Sequence, residues 1–525
     1  MKAPDRKTVV IGTICTLAFG FLLFLCYDFV LDDAYIIYRY AQNLAHGHGV
    51  VWNVGEDPVE GYTSFAWVVL NAFAILLGLN PVLFSKTVSV LAVLLIIWDI
   101  ARVTKKMNWG LAFIFAGSIA LSPPFAFLTI QGTETVFTAF ILYVLARLSF
   151  EIAGGPARMS YCWFWWVVAF IGGLTRPDTL VFSFGIFVGL TAYLTADKNW
   201  KLLRGFLLPC PVFVMFGLIY MVWRISYFGY FFPNTFYIKF AGTAGKISPW
   251  GVNDVKVFLT RYLSPYFLII SFLAGKYFDK KRIIYILPVV LGAIFFGLYL
   301  FFINPIQGFF WRFIFPVYPA TLYAVVYYFA KLEYKRLFIA RWWVSLILVL
   351  VFAGWTLRFT PSVLFAKENV TQYDRVAMGK ELAGIPGTMF TSESGALPYY
   401  SGWKTIDMLG LNSEEIAHNG LSTEFLISVN PDLIMILDSP GKFSPDDTEI
   451  SIIKHYMVDY GFVTVAVVHR SFDHYHSYFV REDSRYFSVI VDRLSDVDSL
   501  EYADMGKRLF GEEIPVFEKR EVRTD

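Results

Sequence analysis

The chain has 525 residues, of which 57% are hydrophobic, 19% aromatic and only 16% charged, and its mean hydropathy is +0.55. Soluble domains carry about 25% charged residues, so the composition excludes an ordinary cytosolic enzyme. The net charge of +2 is too small to imply a nucleic-acid partner.

The N-terminus, MKAPDRK, is basic and leads into an apolar stretch from Val9 to Val30. No small-x-small cleavage site follows, so an uncleaved first helix is expected rather than a signal peptide. Further apolar runs at 81–101, 108–122, 134–150, 161–174, 178–196, 203–223, 263–275, 283–303, 313–331 and 338–357 suit a hydrocarbon core of about 30 Å. The apolar stretch Thr63–Gly78 decides the orientation of everything after it. Counted as a span, it places Arg102, Lys105 and Lys106 outside. Laid along the outer interface, it puts them inside, as the positive-inside rule prefers. On that assignment the inner segments hold 19 Lys and Arg residues and the outer segments before residue 358 hold 8. The expected fold is a polytopic α-helical membrane protein with eleven spans, N-terminus inside and C-terminus outside.

At Arg358 polar and charged residues become frequent. Short β-like runs at Thr388–Glu393, Leu433–Leu437 and Phe462–His469, an aromatic run at Tyr475–Val480, and a helix-like Glu414–Gly420 predict an outer α/β domain. The expected domains are therefore 1–357, helical, and 358–525, α/β. Cys15, Cys26, Cys162 and Cys210 all lie in or beside apolar stretches, so no disulfide framework holds the second domain.

The informative polar residues gather at the outer ends of spans. The first outer loop begins Leu31-Asp32-Asp33-Ala34-Tyr35. A carboxylate at a membrane boundary is partly desolvated and suits a general base for a hydroxyl; the plainer alternative is that both cap a helix starting at Ala34. The loop continues with His46, His48, Asn53, Glu56, Glu60, Tyr62 and Trp67 among glycines, with aromatics suited to a sugar face. Two histidines without further ligands are weak grounds for a metal site and are expected to pack the loop.

The string DDAYIIYRYAQNLAHGHGVVWNVGEDPVEGYTSFAW resembles the first outer loop of GT-C superfamily glycosyltransferases, closest to the arabinofuranosyltransferase branch typified by the mycobacterial terminal β-(1→2) enzyme. Gly132-Thr133-Glu134-Thr135, Leu174-Thr175-Arg176-Pro177-Asp178, Pro233 to Lys239, Trp311-Arg312-Phe313, Glu393 to Gly402 and Ile406 to Leu411 extend the resemblance across both domains. One departure is Gln307-Gly308-Phe309-Phe310, where relatives carry an acidic–aromatic pair before the arginine motif.

The resemblance implies a sugar passed from a polyprenyl phosphate, of decaprenyl or undecaprenyl length, to an acceptor hydroxyl on the outer face of a bacterial plasma membrane. The expected sugar is arabinofuranose, the acceptor a glycan, glycolipid or protein. A phosphate leaves as a stable anion, so the reaction needs a base and cations rather than a dedicated acid. Asp32 and Asp33 are the expected catalytic pair, with Asp32 favoured as the base and a divalent cation beside them left open. Arg39, Arg176, Arg224, Lys239 and Arg312 are expected around the donor phosphate, where bidentate geometry favours arginine. Glu134 and Asp178 either bind sugar hydroxyls or compensate helix N-termini, and Asn234 and Thr235 reach donor or acceptor. Glu60, Tyr62, Trp67, Glu393 and Asp407 are expected on the acceptor side. Two other readings stay open: a mannosyl or hexosyl donor on the same fold, and a lipid-linked glycan transporter. A transporter should carry ionisable groups deep in its spans, and Asp99 is the main candidate.

Overall fold

The computed structural model describes residues 4–107, 109–154, 158–241, 246–263, 280–303, 308–330, 342–370, 373–438, 448–471, 474–495, 497, 500 and 514–517. It divides into two compact units. A helical unit takes Met1–Phe29, Thr63–Phe231 and Lys239–Phe365; a sheet unit takes Val30–Tyr62, Phe232–Ile238 and Ala366–Asp525. The sequence pattern drew one boundary, at 357/358. The structure instead also gives Val30–Tyr62 and Phe232–Ile238 to the sheet unit; Trp52 and Asn53 bond into its strands, and the Asn234 amide donates to the Glu60 carbonyl.

The first elements are α1 (Arg6–Cys26), α2 (Asp32–Ala45), α3 (Phe65–Leu76) and α4 (Pro81–Val103). Local chemistry starts them where expected: Asp5 accepts the Thr8 amide ahead of α1 (3.1 Å), and Asn80 accepts the Leu83 amide while Pro81 fills the first turn of α4. Helix α3 has 12 residues, about 18 Å at 1.5 Å per residue, short of a hydrocarbon core. Next come α5 (Trp109–Ala120) and α6 (Pro123–Ile130), bent by 42° at their junction. A single span over 108–122 followed by a loop was expected. Pro123 and Pro124 cannot continue the preceding helix, and Ser122 caps a new one through the Phe125 amide (3.3 Å).

The helical unit continues through α7 (Thr135–Gly154), α8 (Met159–Thr175), α9 (Asp178–Ala196), α10 (Trp200–Leu207) and α11 (Cys210–Phe228), then helices Lys280–Leu300, Val317–Ala330 and Trp342–Leu357. Phe19, Ile96, Ile100, Phe115, Leu142 and Phe315 lie in its buried core. Helix α9 meets Lys280–Leu300 closely because a Cβ on Gly185 would lie 2.7 Å from the Gly292 Cα. Among the described residues six helices are long and apolar enough to cross a membrane, or seven if the bent pair is one span, and four more are apolar but shorter. The chain is a multi-pass membrane protein. The expected span at 263–275 lies almost wholly outside the described residues.

In the sheet unit five strands run β2-β1-β3-β5-β4: β1 (Thr388–Thr391), β2 (Lys404–Asp407), β3 (Leu433–Asp438), β4 (Phe462–Ser471) and β5 (His474–Arg481). The first three are parallel; β5 and β4 pair antiparallel. Alternation sends Leu433 and Met435 into one apolar layer and Ile434 and Ile436 into the other, so helices cover both faces. The expected strand runs all fall on strands; only β2 was not foreseen. Residues 30–62 complete this unit: the Trp52 indole donates to the Thr405 carbonyl (2.9 Å) and the Thr405 amide to Asn53 Oδ1 (3.0 Å).

Candidate functional site

Helix α2 begins at Asp32 itself, and its N-cap, Leu31, has no capping side chain. The two acids do not cap their own helix at Ala34. Asp32 instead caps another: its Oδ2 accepts the Gly395 amide (2.9 Å) and its Oδ1 the Ala396 amide (3.0 Å), at the start of helix Ala396–Ser401. Only glycine fits at 395, where a Cβ would come within 2.2 to 2.3 Å of the Asp32 carbonyl and carboxylate.

The Arg375 guanidinium lies 3.3 Å from Asp32 Oδ1 and also pairs with Glu393, and all three side chains are buried. Behind Arg375, the buried Asp374 carboxylate pairs with His476 and with Arg470 (3.2 Å) and accepts the Tyr478 hydroxyl (3.4 Å). Burial alone would raise Asp374; His476, Arg375 and Arg470 pull it well below the usual carboxylate range. Asp32 goes the other way. Burial pushes its carboxyl up to about 6, with Glu393 and Asp33 adding to the rise and Arg375 and the Ala396 amide opposing it. Three of its roughly four lone-pair sites are taken, which leaves Oδ2 with capacity for one more donor. Asp33, half-buried, is the next residue round α2.

The helical unit holds a second buried cluster. Arg176, the C-cap of α8, reaches Asp178 at the start of α9 through Nη2 (2.5 Å) and Nε (3.1 and 3.2 Å), and Glu134 through Nη1 (3.6 Å). Its guanidinium lies 5.5 Å from the Phe313 ring centroid. Arg312 is buried over the same ring at 5.0 Å. It follows two aromatic residues, Phe310 and Trp311, with φ of 50° and 58°, a left-handed conformation that bulky side chains rarely adopt. Arg224, buried at the end of α11, donates to the Phe231 carbonyl (2.6 Å).

A family model described as a domain of unknown function, DUF8728, matches residues 364–487. The terminal beta-(1->2)-arabinofuranosyltransferase of Corynebacterium glutamicum is 27% identical over 256 residues, 43% of this chain and 34% of that protein. The chain thus spans about a third of that relative's length. Two crystal structures of ArnT from Cupriavidus metallidurans superpose on most of the chain. The apo form gives a TM-score of 0.55 at 15% identity, and the form bound to undecaprenyl phosphate gives 0.53 at 13%. Each comparison covers 90% of this chain and 97% of ArnT. The chain has the GT-C fold.

Within this GT-C fold the remaining expected residues divide by what they touch. Arg39 is not presented to a phosphate. It is buried, donating to the carbonyls of Trp52, Pro398 and Trp403 and to Asn53 Oδ1 at 2.8 to 2.9 Å, with its guanidinium over the Trp52 ring. Trp67 is likewise internal, bonding the Gly132 carbonyl (3.1 Å) and packing on Phe137. Asp407 accepts the Leu409 amide and both the amide and side chain of Asn412, each at 3.0 Å, and so closes its own turn. Glu60 and Tyr62 are buried, and Tyr62 lies edge-on to Tyr40 at 4.8 Å. Asn234 and Thr235 are buried at the start of α12 (Asn234–Ala241). Lys239 is on α12, with its side chain outside the described set. His46 and His48 are exposed rather than packed. Among the described residues no group of three or more His, Cys, Asp or Glu gathers as metal ligands.

Sequence reasoning missed Arg375 and its supports. A signal was there: Asp374, Arg375, Met378, Gly379 and Leu382 recur at helical spacing and form the buried face of helix Tyr373–Leu382, which places two charges among apolar residues. It also passed over Lys86, buried in α4 with its ammonium on the Tyr27 carbonyl and 4.7 Å from the Tyr27 ring.

Proposed function

We propose that this protein is a GT-C glycosyltransferase that moves a sugar from a polyprenyl phosphate to an acceptor hydroxyl, with Asp32 as the general base. The observation that carries the reading is the Asp32 carboxylate on this fold: buried, oriented by two amides and a guanidinium, and held near pH 6, where a base works best close to neutrality. Its Oδ2 takes the acceptor proton, the hydroxyl oxygen attacks the anomeric carbon, and the bond to the donor phosphate breaks with the electron pair on phosphate. Asp33 orients the start of α2. Arg312, Arg224 and Lys239 are the cations assigned to the donor phosphate. Arg176 joins them with less weight, since Asp178 and Glu134 already neutralise it.

Arabinofuranose is the proposed sugar, supported by the Corynebacterium glutamicum relative; undecaprenyl phosphate in the ArnT structure supports the lipid class. The charge asymmetry, 19 against 8, supports a cytoplasmic N-terminus and an outer sheet unit. The transporter reading loses its main candidate, because Asp99 is engaged by Arg147 (2.8 Å) and the Tyr143 hydroxyl (2.8 Å).

The test uses purified full-length protein with polyprenyl-phosphate arabinofuranose or polyprenyl-phosphate mannose and a neutral oligosaccharide acceptor. Acceptor-dependent consumption of the arabinose donor, lost in Asp32→Asn, is expected. Consumption of mannose alone would move the assignment to the hexosyl branch; no consumption of either would end the enzyme reading. A reporter fused after Asp525 should be active only outside the cytoplasm.

A further inference from the structure

Two buried polar atoms of the sheet unit have no hydrogen-bond partner among the described residues. Asn234 and Thr235 open the eight-residue α12 and are only 3% and 6% exposed. Neither Asn234 Nδ2 nor Thr235 Oγ1 has a hydrogen-bond partner among the described residues. A buried donor or hydroxyl left in that state is costly, and native folds keep few of them.

The surroundings make the vacancy specific. The Asn234 amide donates to the Glu60 carbonyl (3.1 Å), pinning the helix start to residues 59–62. Near it Tyr40 is engaged: its hydroxyl proton is shared between the Val59 carbonyl (2.8 Å) and Asn412 Oδ1 (3.1 Å), and its oxygen accepts the Gly61 amide (3.1 Å). Tyr40, Asp407 and Asn412 are bonded to one another and to the backbone, whereas Asn234 Nδ2 and Thr235 Oγ1 have no partner among the described residues.

The chemistry of the two side chains says what kind of guest. Burial first, and then the carboxylates of Glu60 and Asp407, hold the Tyr40 proton on against the Gly61 amide and the Arg39 guanidinium, so neither sign of charge prevails there. An amide N–H together with a hydroxyl, which both donates and accepts, matches the hydroxyls of a neutral sugar. Tyr237, edge-on to His418 at 4.6 Å, adds an aromatic wall one turn along.

We propose that Asn234 and Thr235 form a subsite for the hydroxyls of a neutral glycan, the acceptor. Only the word acceptor rests on the glycosyltransferase reading; the subsite itself does not. Binding is therefore measured without any donor, on full-length protein in detergent. The probes are an arabinofuranose tetrasaccharide and a mannose tetrasaccharide, with arabinose 5-phosphate as the anionic control. Wild type should bind at least one neutral probe. Thr235→Val and Asn234→Ala should each weaken that binding about 10-fold, and Thr235→Ser should keep it. Because Thr235→Val removes a hydroxyl with no partner, its unfolding temperature should not fall. Failure of wild type to bind either neutral probe, unchanged binding in both variants, an equal loss of arabinose 5-phosphate binding in both, or a lowered unfolding temperature for Thr235→Val would each overturn the proposal. Loss of transfer activity with this binding intact would count only against the enzymatic reading.

Discussion

Each unit buries one arginine between two carboxylates, Arg176 with Asp178 and Glu134 in the helical unit and Arg375 with Asp32 and Glu393 in the sheet unit. With every group ionised, both clusters carry the same net negative charge. Their construction differs. Arg176 and Asp178 are two residues apart at one helix junction, so the cluster is mostly local. Arg375 and Glu393 are 18 positions apart but Asp32 comes from the far end of the chain, and it is also fixed by two backbone amides. The first arrangement locks a corner between helices. The second holds one carboxylate in a set orientation with a raised proton affinity, which is what a base requires.

The largest expected effect separates the two directly. Asp32→Asn should lower transfer roughly 10²–10⁴-fold, whereas Asp178→Asn, which keeps a hydrogen-bond acceptor beside Arg176, should lower it far less; steady-state rates compare them, and equal losses would erase the distinction. Next, Arg375→Ala and Arg176→Ala each leave buried carboxylates unpaired, worth about 3–5 kcal/mol. Hydrogen exchange should show the loosening in residues 30–62 and 388–407 for the first and around 134 and 176–178 for the second. Proton linkage gives the third. The Asp32 carboxyl is raised in the folded state, so its contribution to stability is full below the unfolded value and fades as pH rises through about 6, by about 3 kcal/mol. The same titration should make transfer fall as pH drops through about 6. Arg375→Gln should move that midpoint upward, since it removes the main charge favouring the anion. The smallest is Gly395→Ala, which forces a methyl against Asp32 and should destabilise by about 1–3 kcal/mol, with a shifted pH–rate midpoint as its second readout.

Much of this was legible beforehand for a physical reason. Apolar runs set the helices, short β-like and aromatic runs set β1, β3, β4 and β5, and an acidic pair after the first apolar stretch stood out. What stayed hidden depends on distant partners. Arg39 looked available to a phosphate, yet the carbonyls of Pro398 and Trp403 fill its guanidinium. Asp32 looked like a cap for its own helix and caps one more than 360 positions away. Strand β2 is Lys404-Thr405-Ile406-Asp407, charged at both ends with a single large apolar residue between, so it does not read as a β-like run. The α5–α6 bend was written in Ser122-Pro123-Pro124, a local signal that the apolar run around it obscured.

Residues 30–62 belong to a sheet whose strands lie at 388–481, and this imposes a timetable on synthesis. Asp32 and the Gly395 amide are separated by 363 positions, roughly 20 to 70 s of translation at 5–20 residues per second. For that interval residues 30–62 leave the ribosome with Arg39, Trp52 and Asn53 lacking their eventual partners, while membrane helices are still being inserted behind them. The protein therefore closes this unit in a late step, and a chaperone that shields residues 30–62 in the meantime should raise the yield of folded protein more than one acting on the finished sheet.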